Sequence, residues 1–153
     1  MTSNNVIEIN DHGLSKRMAQ FPKEFDAVSN ATMDASLLIL WENVPPYPAP
    51  PADSSYTRTG THGRKLGSDV GGGKSGGTPS IYTKKKLGGS FEGRFGTNLE
   101  YSQYVIGDNT QAAQHQGRWY QMKDIAEKSK DKIIKLWNTA AEKMARFLDG
   151  KGL

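Results

Sequence analysis

Glycine and proline divide this chain into three parts. Twelve of its 17 glycines lie between Gly60 and Gly96, and five of its seven prolines lie between Pro45 and Pro51. Proline removes a backbone donor and disfavours helix in the residue before it, and dense glycine makes ordering entropically costly. No long helix can cross residues 44 to 96. Only the flanks can be helical, so the middle must be built from extended chain, turns and short strands.

The flanks carry the corresponding periodicity. From Lys23 to about Glu42, Phe25, Val28, Thr32, Ala35, Leu38 and Trp41 recur at spacings of three and four, with Met33, Leu37 and Leu40 beside them, which predicts an amphipathic helix. A second helix is predicted from about Lys123 to Leu148, with Ala126, Ile133, Trp137, Ala140, Met144 and Phe147 on one face, widened by Ile134 and Ala141. The two apolar stripes are expected to meet, with Phe25, Val28, Leu38 and Trp41 against Ile133, Trp137, Met144 and Phe147. Val6 to Ile9 alternates as a strand would, and Leu14 to Gln20 has room for a helical turn or two. Residues 44–52 read as a stiff polyproline-type spacer and 67–79 as a flexible glycine-rich loop. Ser80–Leu87 and Ser90–Phe95 read as a hairpin across Gly88-Gly89. Leu99–Gly107 is a further structured piece whose spacing allows a strand.

Bulk properties narrow the function classes. A length of 153 residues suits one domain, but 35% hydrophobic content is lean, which suggests extended segments completed by a partner. There is no cysteine, so no disulfide or thiolate metal site can form. The first ten residues have neither a basic nor an apolar region of the signal-peptide type, and no apolar run approaches membrane-spanning length, so a soluble protein, cytoplasmic at synthesis, with no membrane partner is the expectation. The net charge is +4. It concentrates between Tyr56 and Gly96, where Arg58, Arg64, Lys65, Lys74, Lys84, Lys85, Lys86 and Arg94 face only Asp69 and Glu92. Such a middle suits an acidic protein surface or phosphate.

No chemical constellation emerges. Gly73-Lys74-Ser75 suggests a phosphate loop, but the upstream glycine position holds Ser68 and Gly76-Gly77-Thr78-Pro79 cannot open a helix. His12, His62 and His115 lack metal-ligand spacing. No serine, histidine and acid set sits on a recognisable elbow. The expectation is a non-enzyme with no catalytic, cofactor-binding or metal residues. Arg58, Arg64 and Lys84 to Lys86, interleaved with Tyr56, Tyr82, Phe91 and Phe95, leave one alternative: a basic nucleic-acid-binding domain with a disordered central loop.

Two short segments carry a resemblance. Arg58-Thr59-Gly60 follows the proline-rich exit from a helix, and Tyr101-Ser102-Gln103-Tyr104-Val105-Ile106-Gly107 leads toward the C-terminal helix. In type and order these resemble the tail-completion or head–tail joining (neck) proteins of tailed bacteriophages, over about residues 12 to 149. The family's Arg-Thr-Gly element falls on Arg58, Thr59 and Gly60. Its Tyr-x-x-Tyr-Val turn falls on Tyr101, Tyr104, Val105 and Gly107. Ile106 alone stands where the family often has an acidic residue and an aromatic, and the glycine-rich insertion at 68–79 is a second departure. The resemblance implies an α+β fold, with a small mixed or antiparallel sheet packed against an N-terminal and a long C-terminal helix, and a short helix or tight turn at Leu99–Gly107. It implies a structural virion protein, a hexameric ring at the neck that contacts connector and tail proteins and lets double-stranded DNA pass. Arg58, Arg64, Lys84, Lys85, Lys86 and Arg94 would then meet a neighbour or line the channel.

Overall fold

The computed structural model describes residues 5–11, 23–48, 52–55, 60–67, 77–87 and 90–149. Their architecture is α+β. Strands β1 (Asn5–Asn10), β2 (Ile81–Leu87) and β3 (Ser90–Thr97) form one antiparallel sheet in the order β1-β3-β2. Two long helices, α1 (Lys23–Glu42) and α4 (Met122–Leu148), pack on one another and on the sheet. Two short helices, α2 (Thr61–Leu66) and α3 (Ser102–Ile106), lie between them in sequence. The predicted hairpin, strand and both long helices are present. The turn at Gly88-Gly89, the segment Leu14–Gln20 and the glycine-rich residues 68–76 lie outside the described residues.

Register assigns the two faces of the sheet. Ile7 and Tyr82 both pair with Phe95, and Ile9 and Lys84 both pair with Gly93. Paired residues share a face, so Ile7, Ile9, Tyr82, Phe91 and Phe95 look inward. The opposite face carries Glu8, Asn10, Thr83, Lys85, Glu92 and Arg94, with Val6, Ile81 and Leu87 at the strand ends. At the centre of the inner face stands Gly93, where a Cβ would meet Met33 Sδ and Leu37 Cδ2 of α1. Lacking a side chain there, the central strand lets α1 lie directly on the sheet. The main core then forms around Met33, Leu37 and Leu40 from α1, Phe91 and Phe95 from β3, and Ile106, Trp119 and Ile125 further on.

The α1 face differs in part from the expected stripe. Phe25, Ser29, Thr32, Met33, Ser36, Leu37 and Leu40 are buried, whereas Leu38 is 47% exposed. Each step of three residues falls about 60° short of a full turn, so the repeated threes Thr32–Ala35–Leu38–Trp41 walk off the core face. Trp41 accordingly turns toward β2: its ring meets Tyr82 edge-on at 5.5 Å, and Nε1 donates to the Gly67 carbonyl at 2.9 Å. The α1–α4 contact instead uses small polar side chains. Ser36 Oγ donates to the Thr32 carbonyl and accepts from Trp137 Nε1 at 3.1 Å. Only at the far end does the expected pairing hold, where Phe25 meets Phe147 edge-on at 5.5 Å beside Ala140 and Met144.

The start of α4 is fixed by a reciprocal cap. The Gln121 side chain and the Asp124 carboxylate satisfy each other's backbone N–H groups. Asp108 Oδ1 adds a bond to the Lys123 N–H at 2.8 Å. These tie the connecting segment after α3 to the helix it precedes.

Candidate subunit interface

The short helix that follows Gly60 and the Tyr101–Gly107 segment meet in one joint. Gly60, with φ of 73°, is the left-handed residue before α2, and Gly67, with φ of 85°, ends that helix. Both conformations favour glycine. The six-residue α2 was missed in the sequence because it is too short for a periodic signal. It positions His62 inward, 4% exposed. The segment Leu99–Gly107, for which spacing alone allowed a strand and the resemblance a short helix or tight turn, is α3 preceded by a turn, with Ser102 N–H bonded to the Leu99 carbonyl and Tyr104 N–H to that of Tyr101. His62 Nε2 and Ser102 Oγ lie 2.9 Å apart and 40 positions apart in sequence. Around them pack Trp119, edge-on to His62 at 5.2 Å, and Tyr101, at 6.0 Å. Tyr47, from the proline-rich segment, meets Trp119 edge-on at 5.0 Å. That segment is thus bound to its own domain at residues 44–48 by Val44 and Tyr47.

The remaining motif residues split by role. Val105 is buried, while Tyr104 is 55% exposed and Tyr101 45% exposed. Gly107 sits where a side chain would collide with the Gln103 carbonyl and Thr110 Oγ1, and these two atoms bond to each other at 2.6 Å. Gln111, from the same turn, donates to the Val105 and Trp119 carbonyls. Arg58 and Thr59 lie outside the described residues.

The His62–Ser102 pair has the reach of a nucleophile and base, and sequence spacing gave no hint of it. Its surroundings are those of a packing joint. Ser102 is fully buried, and His62 Nδ1 has no hydrogen-bond partner among the described residues, hence no orienting carboxylate. Burial chiefly, with the charge of His115 second, lowers the His62 pKa to about 4. The imidazole is therefore neutral at neutral pH. Among the described residues no group of three or more His, Asp or Glu side chains is arranged to hold a metal ion, and no helix is long and apolar enough to cross a membrane.

The cations selected from sequence are dispersed. Lys84 and Lys86 share the inner-face parity of Gly93 and Phe91, so they reach up to α1. Lys84 Nζ pairs with Asp34 at 2.7 Å and Lys86 Nζ with Asp26 at 2.6 Å. Arg94, on the outer face, pairs with Glu8 at 3.1 Å. Lys85 points to the outer face opposite Glu92, and Arg64 is exposed on α2. Neither forms an ion pair among the described residues. Of the interleaved aromatics, Tyr82, Phe91 and Phe95 are turned inward, with Phe91 5% and Phe95 0% exposed, and Tyr56 lies outside the described residues.

Comparison with protein-family models, with curated proteins and with solved structures gives no match. The interface reading therefore rests on geometry. The two edges of the sheet offer unlike surfaces. Beside β1 runs a groove of about 630 Å³ between that strand and α4, lined by Ile7, Ile9, Ile133, Ile134 and Trp137 with Glu8, Glu127 and Lys130 at its rim. At the other edge, β2 presents Lys84, Lys85 and Lys86 in succession, followed by Leu87, 45% exposed.

Proposed function

We propose that this chain is a non-enzymatic structural protein of a tailed-phage virion. It is a ring subunit at the neck that joins the head connector to the tail and leaves a passage for DNA. The observation that carries the reading is the buried joint between the helix after Gly60 and the Tyr101–Gly107 turn. Gly60 and the Tyr101–Gly107 turn, distant in sequence, sit against each other through His62 and Ser102. A motif whose described residues serve such a joint suits a body shaped for assembly. The helix-on-antiparallel-sheet architecture agrees with what the resemblance implies.

The partners in this reading are further copies of the chain, in a hexamer, and the connector and tail proteins above and below. The chain works in the host cytoplasm during assembly and in the virion afterwards. What weighs against a nucleic-acid groove is the fate of its components: Lys84 and Lys86 are engaged by Asp34 and Asp26, and Phe91 and Phe95 cannot stack on bases.

The test is made on particles assembled with and without the chain. Electron microscopy should show filled heads and separate tails when it is missing, and a specific antibody should label the head–tail junction when it is present. Intact virions without the chain, or label elsewhere, would overturn the reading. Tight, sequence-selective DNA binding by the isolated chain would favour the nucleic-acid alternative.

A further inference from the structure

We infer that the exposed flank of α4 carrying Lys128, Lys132, Lys135, Lys143 and Arg146 is a contact surface for the sugar–phosphate backbone of double-stranded DNA. The inference rests on the neck reading and names the surface that meets the DNA in its passage.

Helical geometry puts these five side chains in one row. At about 100° per residue they fall within an arc of about 80°, and at about 1.5 Å per residue they extend over about 27 Å. All five are exposed. Met122, Ala140 and Met144, which are buried, mark the core side of the helix, about a third of a turn away. Unlike Lys84, Lys86 and Arg94, the cations of the row are not engaged within the chain: none forms an ion pair among the described residues. Asp124, Asp131 and Glu142 stand four places before Lys128, Lys135 and Arg146, on the neighbouring flank, and come no closer than that. Over the whole helix seven cations face four carboxylates, and the row is where the positive charge gathers.

What the row lacks selects its partner. It has no exposed apolar or aromatic side chain; Ile134, the half-exposed apolar residue of α4, lies on the groove side. Protein interfaces are centred on such anchors and are poor in lysine, so an acidic protein surface fits badly. A helix that lies on a membrane needs its apolar face free to enter the lipid, and that of α4 is in the core. Single strands are held by bases stacked on aromatics. The row instead offers four ammonium groups and one guanidinium, which attract phosphates. It contains no Asn or Gln to read adenine and one Arg to read guanine, so the contact is held by charge and is independent of sequence.

The full chain is titrated with a fluorescent duplex of mixed sequence. With five phosphates engaged, affinity should fall about 500-fold between about 50 and 200 mM salt, a log–log slope of about −4.5. The row variant, Lys128→Gln with Lys132→Gln and Lys135→Gln, should flatten that slope to about −1.8. A control of equal charge, Lys65→Gln with Lys123→Gln and Lys130→Gln, removes exposed cations outside the row and should keep the wild-type slope. Thermal melts verify that both variants fold. A wild type that binds no duplex at the lower salt overturns the inference, as does a control that loses as much as the row variant. Preference for the single strand, for anionic vesicles or for polyglutamate over the duplex overturns it too. Antibody label at the head–tail junction with an unchanged slope in the row variant would remove this surface and keep the neck reading. A flattened slope with label elsewhere would do the reverse.

Discussion

Two residues set conditions that can be measured directly. Gly93 is the point where α1 rests on the sheet, and any side chain there displaces Met33 and Leu37. Gly93→Val should cost about 1–3 kcal/mol as an overpacked core does, read as a lower midpoint in denaturant melts at unchanged slope. A loss under about 0.5 kcal/mol, the range of a neutral surface change, would mean that the helix shifts freely. His62 sets a pH response. Its folded pKa of about 4 lies below the unfolded value of 6.5, so the unfolded chain binds the proton more readily. The stabilisation from keeping this imidazole neutral is complete above pH 6.5 and is lost as pH falls from there to about 4. The full effect is on the order of 3 kcal/mol. Unfolding free energy measured across that window should fall in the wild type and fall much less in His62→Gln. Equal slopes would place the titration elsewhere.

At the scale of elements, the long helices and the hairpin were legible because each repeats its signal many times. The details were not. Leu38 and Trp41 satisfy a spacing of three, but repeated threes leave the core face, and Ser29 and Ser36, which the expected stripe did not include, are buried instead, with Ser36 meeting Trp137. A serine closes its own hydrogen bond onto the preceding turn, as Ser36 does to Thr32, and then behaves as a small residue that lets helices approach. The pairings of Lys84 and Lys86 to α1 were equally invisible, since they depend on which face of β2 is covered. Trp137→Ala should cost about 3 kcal/mol through lost packing and the orphaned Ser36 hydroxyl; denaturant melts check this. The Lys84–Asp34 pair is partly exposed, at 25% and 60%, so a double-mutant cycle should return a coupling of about 0.2–1 kcal/mol. A coupling above about 2 kcal/mol would mean the pair is sealed from water.

For the whole molecule, stability is distributed unevenly along the helix pair. The main cluster gathers α1, the sheet, the joint around His62 and the start of α4, whereas the far end of the pair is held by Phe25, Ala140 and Met144 with Val28 and Phe147. The far end should open without the rest. Amide hydrogen exchange is expected to be faster over residues 23–30 and 140–148 than over 33–40 and 122–129, with free energies of opening well below the global value. Uniform protection along both helices would show a single cooperative unit. The motif joint was half legible: its residues stood out in the sequence, but that His62 and Ser102 would meet was not, because contacts between distant segments leave no local pattern. The charge-rich middle was legible as charge and not as pairing, for the same reason.

The strand order also sets a schedule. Among the described residues β1 pairs with β3 alone, and its partner for Asn5 is Thr97. A ribosome adding roughly 5–20 residues per second leaves β1 without its native neighbour for roughly 4–17 seconds after it is made. The hairpin of β2 and β3 is local and closes within microseconds once both strands emerge. During translation, then, the nascent chain holds an apolar strand with both edges open, and it is this unfinished chain, more than the folded subunit, that is most exposed to pairing with the wrong copy.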